Sequence, residues 1–138
     1  MNDDLQRVLI DGLDARTPAL RHAQTAAQKP ARGWLRAVRL ALGLSQAKVA
    51  EKVATTRQAY ADLEAAEQRG AISLNSLQRA AEAMDCELVY FVVPRESVAR
   101  TYGELARRHD PAFKHLQATE HSMALENQGV GDLPPRKP

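Results

Sequence analysis

The chain has 138 residues, of which 44% are hydrophobic and 4% aromatic, and its formal net charge is +2. This length suits one domain with short arms, and the low aromatic content favours a mainly helical fold over a large β-sandwich. A single cysteine, Cys86, excludes an intrachain disulfide. Because residues 1–4 lack the apolar segment of a signal peptide and the apolar run 88–93 is too short to span a bilayer, we expect a cytoplasmic protein.

Residues 1–30 are predicted to form a helical arm. Apolar residues recur at helical spacing within residues 3–28; they are Leu5, Val8, Leu9 and Leu13. Pro18 predicts a break, since proline lacks the N–H of a helix interior, and a second short helix is expected over 19–27. Residues 29–33 (Lys-Pro-Ala-Arg-Gly) are predicted to be a linker.

Residues 31–94 are predicted to form four short helices followed by one strand. The predicted helices cover residues 33–42, 46–53, 57–68, and from Ser73 or Asn75 to Met84. Ser45 and Thr56 are the expected N-caps, and Gly43 and Gly70 the expected C-terminal residues. The predicted inward-facing residues are Trp34, Leu35, Val38, Leu42, Val49, Ala50, Val53, Ala59, Tyr60, Leu63, Leu74, Leu77, Ala80, Ala81 and Met84.

Residues 87–93 are dense in β-branched and aromatic residues and stop at Pro94, which predicts a strand. A lone strand needs a partner. The partner is either its copy in a second subunit, which makes the protein a homodimer, or the N-terminal arm.

Residues 95–131 are predicted to be helical. One helix is expected over 96–109, and Asp110-Pro111 begins another. The apolar residues of this second helix are Phe113, Leu116, Met123 and Leu125. Residues 132–138 are polar and proline-rich and are predicted to be disordered.

Basic residues are concentrated in the middle of the chain. Seven lie between residues 29 and 57, against one acid, Glu51. Such a segment on a nearly neutral chain favours a face that binds a polyanion. The bland interpretation is a four-helix bundle with a solvated basic face.

Gly43-Leu44-Ser45-Gln46-Ala47-Lys48-Val49-Ala50, continuing into residues 56–64, resembles the helix-turn-helix of the Xre, or lambda-repressor-like, family. Two short capped helices with a tight turn can place the second helix in a major groove. The resemblance implies base contacts from Arg57, Gln58 and Ala61. It implies phosphate contacts, or attraction to phosphate, from Gln46, Thr56, Arg36, Arg39, Lys48 and Lys52.

Two residues depart from that pattern. Ala54 stands in the turn where the family usually has glycine, so a left-handed backbone there costs more. Asp62 stands where the family often has a basic or amide residue, and phosphate would repel it. Both bear on the DNA affinity more than on the fold.

The C-terminal sequence Ser122-Met123-Ala124-Leu125-Glu126-Asn127 carries a second pattern. On a helix, Ser122 and Glu126 share one face. The pattern Ser/Thr-x-x-x-Glu-Gly/Asn resembles the inhibitory helix of proteins that silence Fic-domain AMP-transferases. Together with blocks at 33–39, 71–74, 79–90 and 121–128, it resembles the "mobile mystery protein A" family, whose members are found beside a Fic-domain protein.

The resemblance implies an antitoxin that restrains a Fic-domain toxin and represses its own operon. Glu126 would pair with the arginine that positions the γ-phosphate of ATP in the Fic site. Ser122 would orient the helix, and Asn127 would shape its end beside the nucleotide. Partner docking is expected from the apolar residues Phe113, Leu116, Met123 and Leu125.

Two alternatives stay open. One is a plain transcriptional repressor whose C-terminal helices only dimerise. The other is a partner-binding protein whose helix-turn-helix no longer binds DNA because of Asp62. No enzyme activity, cofactor or metal is expected, because His109, His115 and His121 scatter around a helix at their spacing of six and no catalytic pair of acids is visible.

Overall fold

Residues 3–109 are described by a computed structural model, in which six helices of 8 to 24 residues are joined by turns and loops. The fold is mainly α-helical, as predicted. The helices are α1 (Asp3–Ala26), α2 (Trp34–Ala41), α3 (Gln46–Val53), α4 (Arg57–Arg69), α5 (Leu74–Ala83) and α6 (Tyr102–His109). None of these six is both long and apolar enough to cross a membrane.

Three serine or threonine side chains begin three consecutive helices. The side-chain oxygens of Ser45, Thr56 and Ser73 accept hydrogen bonds from the backbone N–H three residues ahead, at 3.0, 3.0 and 3.1 Å. Each satisfies a backbone donor that a helix start leaves unpaired, which contributes about 1 kcal/mol. These N-caps confirm the predicted starts of α3 and α4 and choose Ser73 over Asn75 for α5.

Helices α2 to α5 lie in one compact unit, residues 27–90. The buried side chains at its centre come from all four helices and the turn after α5; they are Leu35, Val49, Ala50, Tyr60, Ala80 and Met84. Val49 and Tyr60 are inaccessible to solvent. Burial of each large apolar side chain contributes about 1.5–3 kcal/mol, so this core holds α3 and α4 against the two flanking helices.

Helices α1 and α6 belong to a second compact unit, which among the described residues joins residues 3–26 to residues 91–109. The Asp14 carboxylate in α1 accepts hydrogen bonds from the backbone N–H groups of Tyr102 and Gly103 at 2.7 and 3.2 Å. These N–H groups lie in the first turn of α6, where a carboxylate is favoured. The Arg21 guanidinium in α1 donates to the carbonyl of Pro94 at 2.7 Å.

Several predicted elements differ from the structure. Helix α1 runs through Pro18 without the predicted break; the hydroxyl of Thr17 bonds the Leu13 carbonyl just before it. Helix α6 begins at Tyr102 rather than at residue 96, because the Thr101 side chain accepts from the Glu104 N–H and caps the helix there.

The predicted strand over residues 87–93 is not seen, and no strand occurs within residues 3–109. A strand is defined by a ladder of hydrogen bonds to a neighbour, and no other described segment forms that ladder. Four consecutive apolar side chains of this stretch, residues 89–92, are exposed; Val89 and Val92 are 79% and 81% accessible.

Three residues predicted to face inward are also exposed: Trp34, Leu42 and Leu74. Small helices bury only a narrow stripe, and these three side chains lie outside it. The predictions on residues 110–138, including the second C-terminal helix, the inhibitory pattern and the tail, lie outside the described residues.

Candidate nucleic-acid interface

The turn between α3 and α4 sets the angle at which the two helices meet. Ala54 ends α3 in the left-handed region, at φ 65° and ψ 49°. The N–H of Thr55 returns to the Ala50 carbonyl at 2.9 Å, and Thr56 then caps α4. The tight connection expected of a helix-turn-helix is therefore present, with alanine in the strained position rather than glycine.

Helix α4 has two chemically distinct faces. Its inner face buries Tyr60, Glu64 and Glu67. Its outer face carries Arg57, Gln58, Ala61, Asp62 and Ala65, of which only Ala61 is partly buried. The outer face combines two long polar side chains with two small ones, so the helix backbone can approach a flat or grooved surface closely.

A buried ion pair ties the inner face of α4 to α2. The Arg39 guanidinium contacts Glu64 through two hydrogen bonds, Nε to Oε2 at 2.6 Å and Nη2 to Oε1 at 3.1 Å. Arg39 also donates to the Leu44 carbonyl at 3.0 Å, and Gln46 Nε2 donates to Glu64 Oε1 at 3.2 Å. Every ionised atom of the pair is thus engaged with protein, as a buried pair requires.

This geometry shifts the ionisation of both partners. Burial opposes the ionised form of Glu64, but the hydrogen bond from Arg39, with further help from Gln46, outweighs it and lowers the pKa of Glu64. The hydrogen bond to Glu64 in turn raises the pKa of Arg39. Burial raises the pKa of Tyr60 beside them, so the phenol stays protonated at neutral pH.

A second carboxylate on the inner face caps a neighbouring helix. Glu67 accepts hydrogen bonds from the backbone N–H groups of Trp34 and Leu35 at 2.8 and 2.9 Å. Residue 33, which precedes α2, is glycine with φ 93° and offers no side-chain cap. A Cβ there would lie 2.7 Å from Glu67 Oε1, so glycine makes room for the carboxylate that replaces a local cap.

The structure separates the predicted phosphate-contacting residues into two groups. Arg39 is buried and held by Glu64, so it is not the mobile surface cation that a phosphate contact needs, and we leave it out of the proposed interface. Gln46 is partly buried against the same carboxylate. Lys48 and Lys52 are exposed on α3, with Lys48 3.5 Å from Glu51. Arg36 is partly buried on α2.

Gln58 and Asp62 make a contact that the sequence alone did not indicate. Gln58 Nε2 donates to Asp62 Oδ1 at 3.0 Å, one turn apart on the outer face. Asp62, which departs from the usual pattern at this position, is therefore the immediate neighbour of a predicted base-reading residue.

A comparison with protein families agrees with this geometry. Residues 35–91 match the family model described as helix-turn-helix. These residues form a helix-turn-helix domain. Domains of this class bind DNA in transcription regulators. The helices α2 to α5 described above all fall within the match except for Trp34. No curated protein and no solved structure matches the chain.

The remaining predicted site residues are those of the C-terminal Fic-inhibitory pattern. Ser122, Glu126 and Asn127, with the docking residues around them, lie outside the described residues 3–109. Within that range, His, Cys, Asp and Glu side chains form no group of three or more that could hold a metal ion. Cys86 is a partly buried thiol whose Sγ lies 3.4 Å from the Met84 carbonyl oxygen.

Sequence reasoning missed Glu64 and Glu67, which fix the domain's geometry. A signal was available in the helical spacing: Glu64 follows Tyr60 by four residues and Glu67 follows Glu64 by three, so all three lie on one stripe of the helix. A charged residue on the buried stripe of a helix demands a partner. Which partner each one meets depends on α2, which lies 25 to 33 residues earlier in the chain.

Proposed function

We propose that this protein binds operator DNA through the outer face of α4 and regulates transcription of its own operon. The observation that carries the proposal is the capped, outward-facing start of α4 in a helix-turn-helix domain. Arg57 and Gln58 lie in its first turn and are exposed. The first turn of a recognition helix is the part that reaches base edges in a major groove.

The chemistry of that first turn suits base reading. Arginine bonds the two acceptors of guanine, and glutamine matches the donor and acceptor of adenine. Ala61 follows one turn after Arg57, and its methyl group suits contact with a thymine methyl. Its small size also leaves the two longer side chains free to enter the groove.

Phosphate contacts are proposed for the residues around this helix. Lys48 and Lys52 on α3 supply mobile positive charge. The Thr56 hydroxyl accepts from the Ala59 N–H and keeps its own hydrogen to donate to phosphate. Gln46 and Arg36 complete the proposed set, as partly buried side chains at the domain surface. Such contacts fix the register of the helix and make binding salt-dependent.

The proposed DNA-binding species is a homodimer. Consecutive apolar side chains at Val89, Tyr90, Phe91 and Val92 are exposed by 38–81%, which is unusual for a run on a monomer surface. A dimer would present two recognition helices to an operator with two-fold symmetry. Light scattering of wild type and a Val89→Ser/Val92→Ser variant tests this: a monomeric wild type would contradict it.

Selection from a randomised DNA pool tests the proposal for the full chain. Wild type should enrich one sequence, and Arg57→Ala and Gln58→Ala should each weaken binding to it and relax one base position. Gln78→Ala is the matched control, because Gln78 is an exposed amide on α5 that bonds Glu82 four residues on. Failure of wild type to enrich any sequence would overturn the proposal.

A second proposed activity is inhibition of a Fic-domain AMP-transferase, which makes the protein an antitoxin. It is supported by the Ser122, Glu126 and Asn127 pattern and by the resemblance of the longer sequence blocks to proteins encoded beside Fic-domain partners. Glu126 would occupy the arginine that positions the γ-phosphate of ATP. Phe113, Leu116, Met123 and Leu125 would dock the segment on the toxin.

AMP transfer by a purified Fic-domain AMP-transferase, measured with and without the full chain, tests the second activity. Wild type should block labelling, and Glu126→Gly should release it. Glu120→Gly is the matched control, since it places the same substitution six residues earlier in the same segment. If Glu126→Gly still inhibits fully, this mechanism is wrong. If wild type does not inhibit, the plain repressor becomes the better description.

A further inference from the structure

The acid on the outer face of α4 is the least expected feature of a DNA-binding helix. Asp62 is exposed and follows Gln58 by one turn. A carboxylate on this face is repelled by phosphate and lowers the affinity for every DNA sequence.

The hydrogen bond between Asp62 and Gln58 fixes which way the Gln58 amide faces. An ionised carboxylate only accepts hydrogen bonds, so the amide group that faces Asp62 must be the NH2 group of Gln58. The observed contact runs from Gln58 Nε2 to Asp62 Oδ1 at 3.0 Å. The amide is therefore held in one of its two orientations before any DNA arrives.

The held orientation leaves one N–H and the carbonyl oxygen of Gln58 free. Those two groups are the donor and acceptor that adenine requires at N7 and at its amino group. A side chain already restrained in its bound rotamer also loses less conformational entropy on binding. Glutamine and an acid four residues later stabilise each other on a helix, so the arrangement is local to α4.

We propose that Asp62 is a positioning residue that sets Gln58 to read adenine, and that it raises specificity while lowering affinity for non-cognate DNA. This inference rests on the proposed DNA-binding function. It assigns to Asp62 a role opposite to the one expected from charge alone, in which the acid abolishes DNA binding.

Two substitutions separate orientation from charge. Asp62→Asn removes the charge but keeps an oxygen that accepts from Gln58, whereas Asp62→Ala removes both. Both variants should bind non-cognate DNA more tightly than wild type. Asp62→Ala should lose preference for adenine at the Gln58 position by about three- to tenfold, the loss of one hydrogen bond that orients a base contact. Asp62→Asn should lose only part of that preference, because its amide can either accept from Gln58 or donate to it.

The measurement is a titration of the full chain with the selected DNA and with versions changed at the base pair that Gln58→Ala relaxes. In a Gln58→Ala background, Asp62→Ala should cause no further loss of preference at that position. Glu82→Ala is the matched control, because it removes an acid that accepts from a glutamine on α5; it should leave the preference unchanged.

The contradicting outcomes are distinct. If wild type discriminates between sequences but Asp62→Ala keeps the full adenine preference, the positioning role is wrong and DNA binding stands. If Asp62→Ala changes preference equally with and without Gln58, Asp62 reads a base itself and the role is again wrong. If wild type shows no sequence preference, both the positioning role and the proposed DNA-binding function are wrong.

Discussion

The two faces of helix α4 carry the same kinds of residue and use them in opposite ways. The inner face holds two carboxylates, Glu64 and Glu67, each with several protein hydrogen bonds and little contact with water. The outer face holds one carboxylate, Asp62, with a single short-range contact to Gln58. On one face acids fix the fold, and on the other an acid and its neighbours remain available to a ligand.

The same contrast applies to the arginines. Arg39 and Arg57 are both part of the basic stretch that points to a polyanion, yet Arg39 is 8% exposed and bonded to Glu64. Arg57 is exposed at the start of α4. Net charge along a sequence therefore overstates the charge that DNA would meet, because part of it is neutralised inside the domain.

The largest expected effect is on the inner face. Arg39→Met should lower the free energy of unfolding by about 3–5 kcal/mol, because it leaves the Glu64 carboxylate buried without its partner. Chemical denaturation measures the change. Arg39→Met/Glu64→Leu should recover most of the loss, and Lys48→Met, which breaks the exposed pair with Glu51, should cost about 1 kcal/mol or less. Equal losses for Arg39→Met and Lys48→Met would contradict the contrast between buried and exposed charge.

The pH dependence of stability sharpens the same point. Because the pKa of Glu64 is lower in the folded protein than its ordinary value of 4.5, the unfolded chain binds more protons in acid. Its contribution is complete above about pH 4.5 and is lost as the pH falls through the folded pKa. Glu64→Gln should cost about 1.5–3 kcal/mol at pH 7 and should show a flatter loss of stability in acid. If the free energy of unfolding of Glu64→Gln falls with pH in acid as steeply as that of wild type, the lowered pKa of Glu64 is contradicted.

On the outer face, the expected effects fall on DNA and not on stability. Arg57→Ala should cost about 1–3 kcal/mol of binding and relax one base position. Lys52→Ala should weaken binding to all sequences alike and reduce the slope of log affinity against log salt by about 1. Titrations at several salt concentrations separate the two results. Equal relaxation of sequence preference by both substitutions would show that Arg57 is only a phosphate contact.

The smallest expected effect lies in the turn between α3 and α4. Ala54 has φ 65°, a conformation that glycine adopts without the steric cost of a Cβ. Ala54→Gly should therefore raise the free energy of unfolding by about 0.5–1 kcal/mol, as the relief of strain exceeds the added freedom of the unfolded chain. Thermal or chemical denaturation measures it. A destabilised variant would mean that the turn is not strained in solution.

The sequence predicted the parts of this fold that depend on neighbouring residues. The caps at Ser45 and Thr56 and the full extent of α3 follow from residues within one turn of each other. The Thr101-x-x-Glu104 pattern at the start of α6 is an equally local signal, but apolar periodicity does not show it.

The features that the sequence did not predict depend on distant residues. The burial of Arg39 is decided by Glu64, 25 residues later, and Trp34 is 43% exposed although its size favours burial. Of the candidate interface, Arg57 and Gln58 were named from the resemblance to the Xre family, and both are exposed on α4. The contact of Gln58 with Asp62 is an exception, because it spans only four residues on one helix and was a local signal that the charge of Asp62 obscured.

The most direct test of the central claim is to follow backbone amide chemical shifts of the full chain during titration with the selected DNA. If the outer face of α4 reads DNA, the largest changes will fall on residues 56–62, with smaller changes at Lys48 and Lys52. The amide chemical shifts of residues 78–82 on α5, which carry a similar glutamine–acid pair, will not change. Changes centred on α5, or none on the first two turns of α4, would contradict the claim.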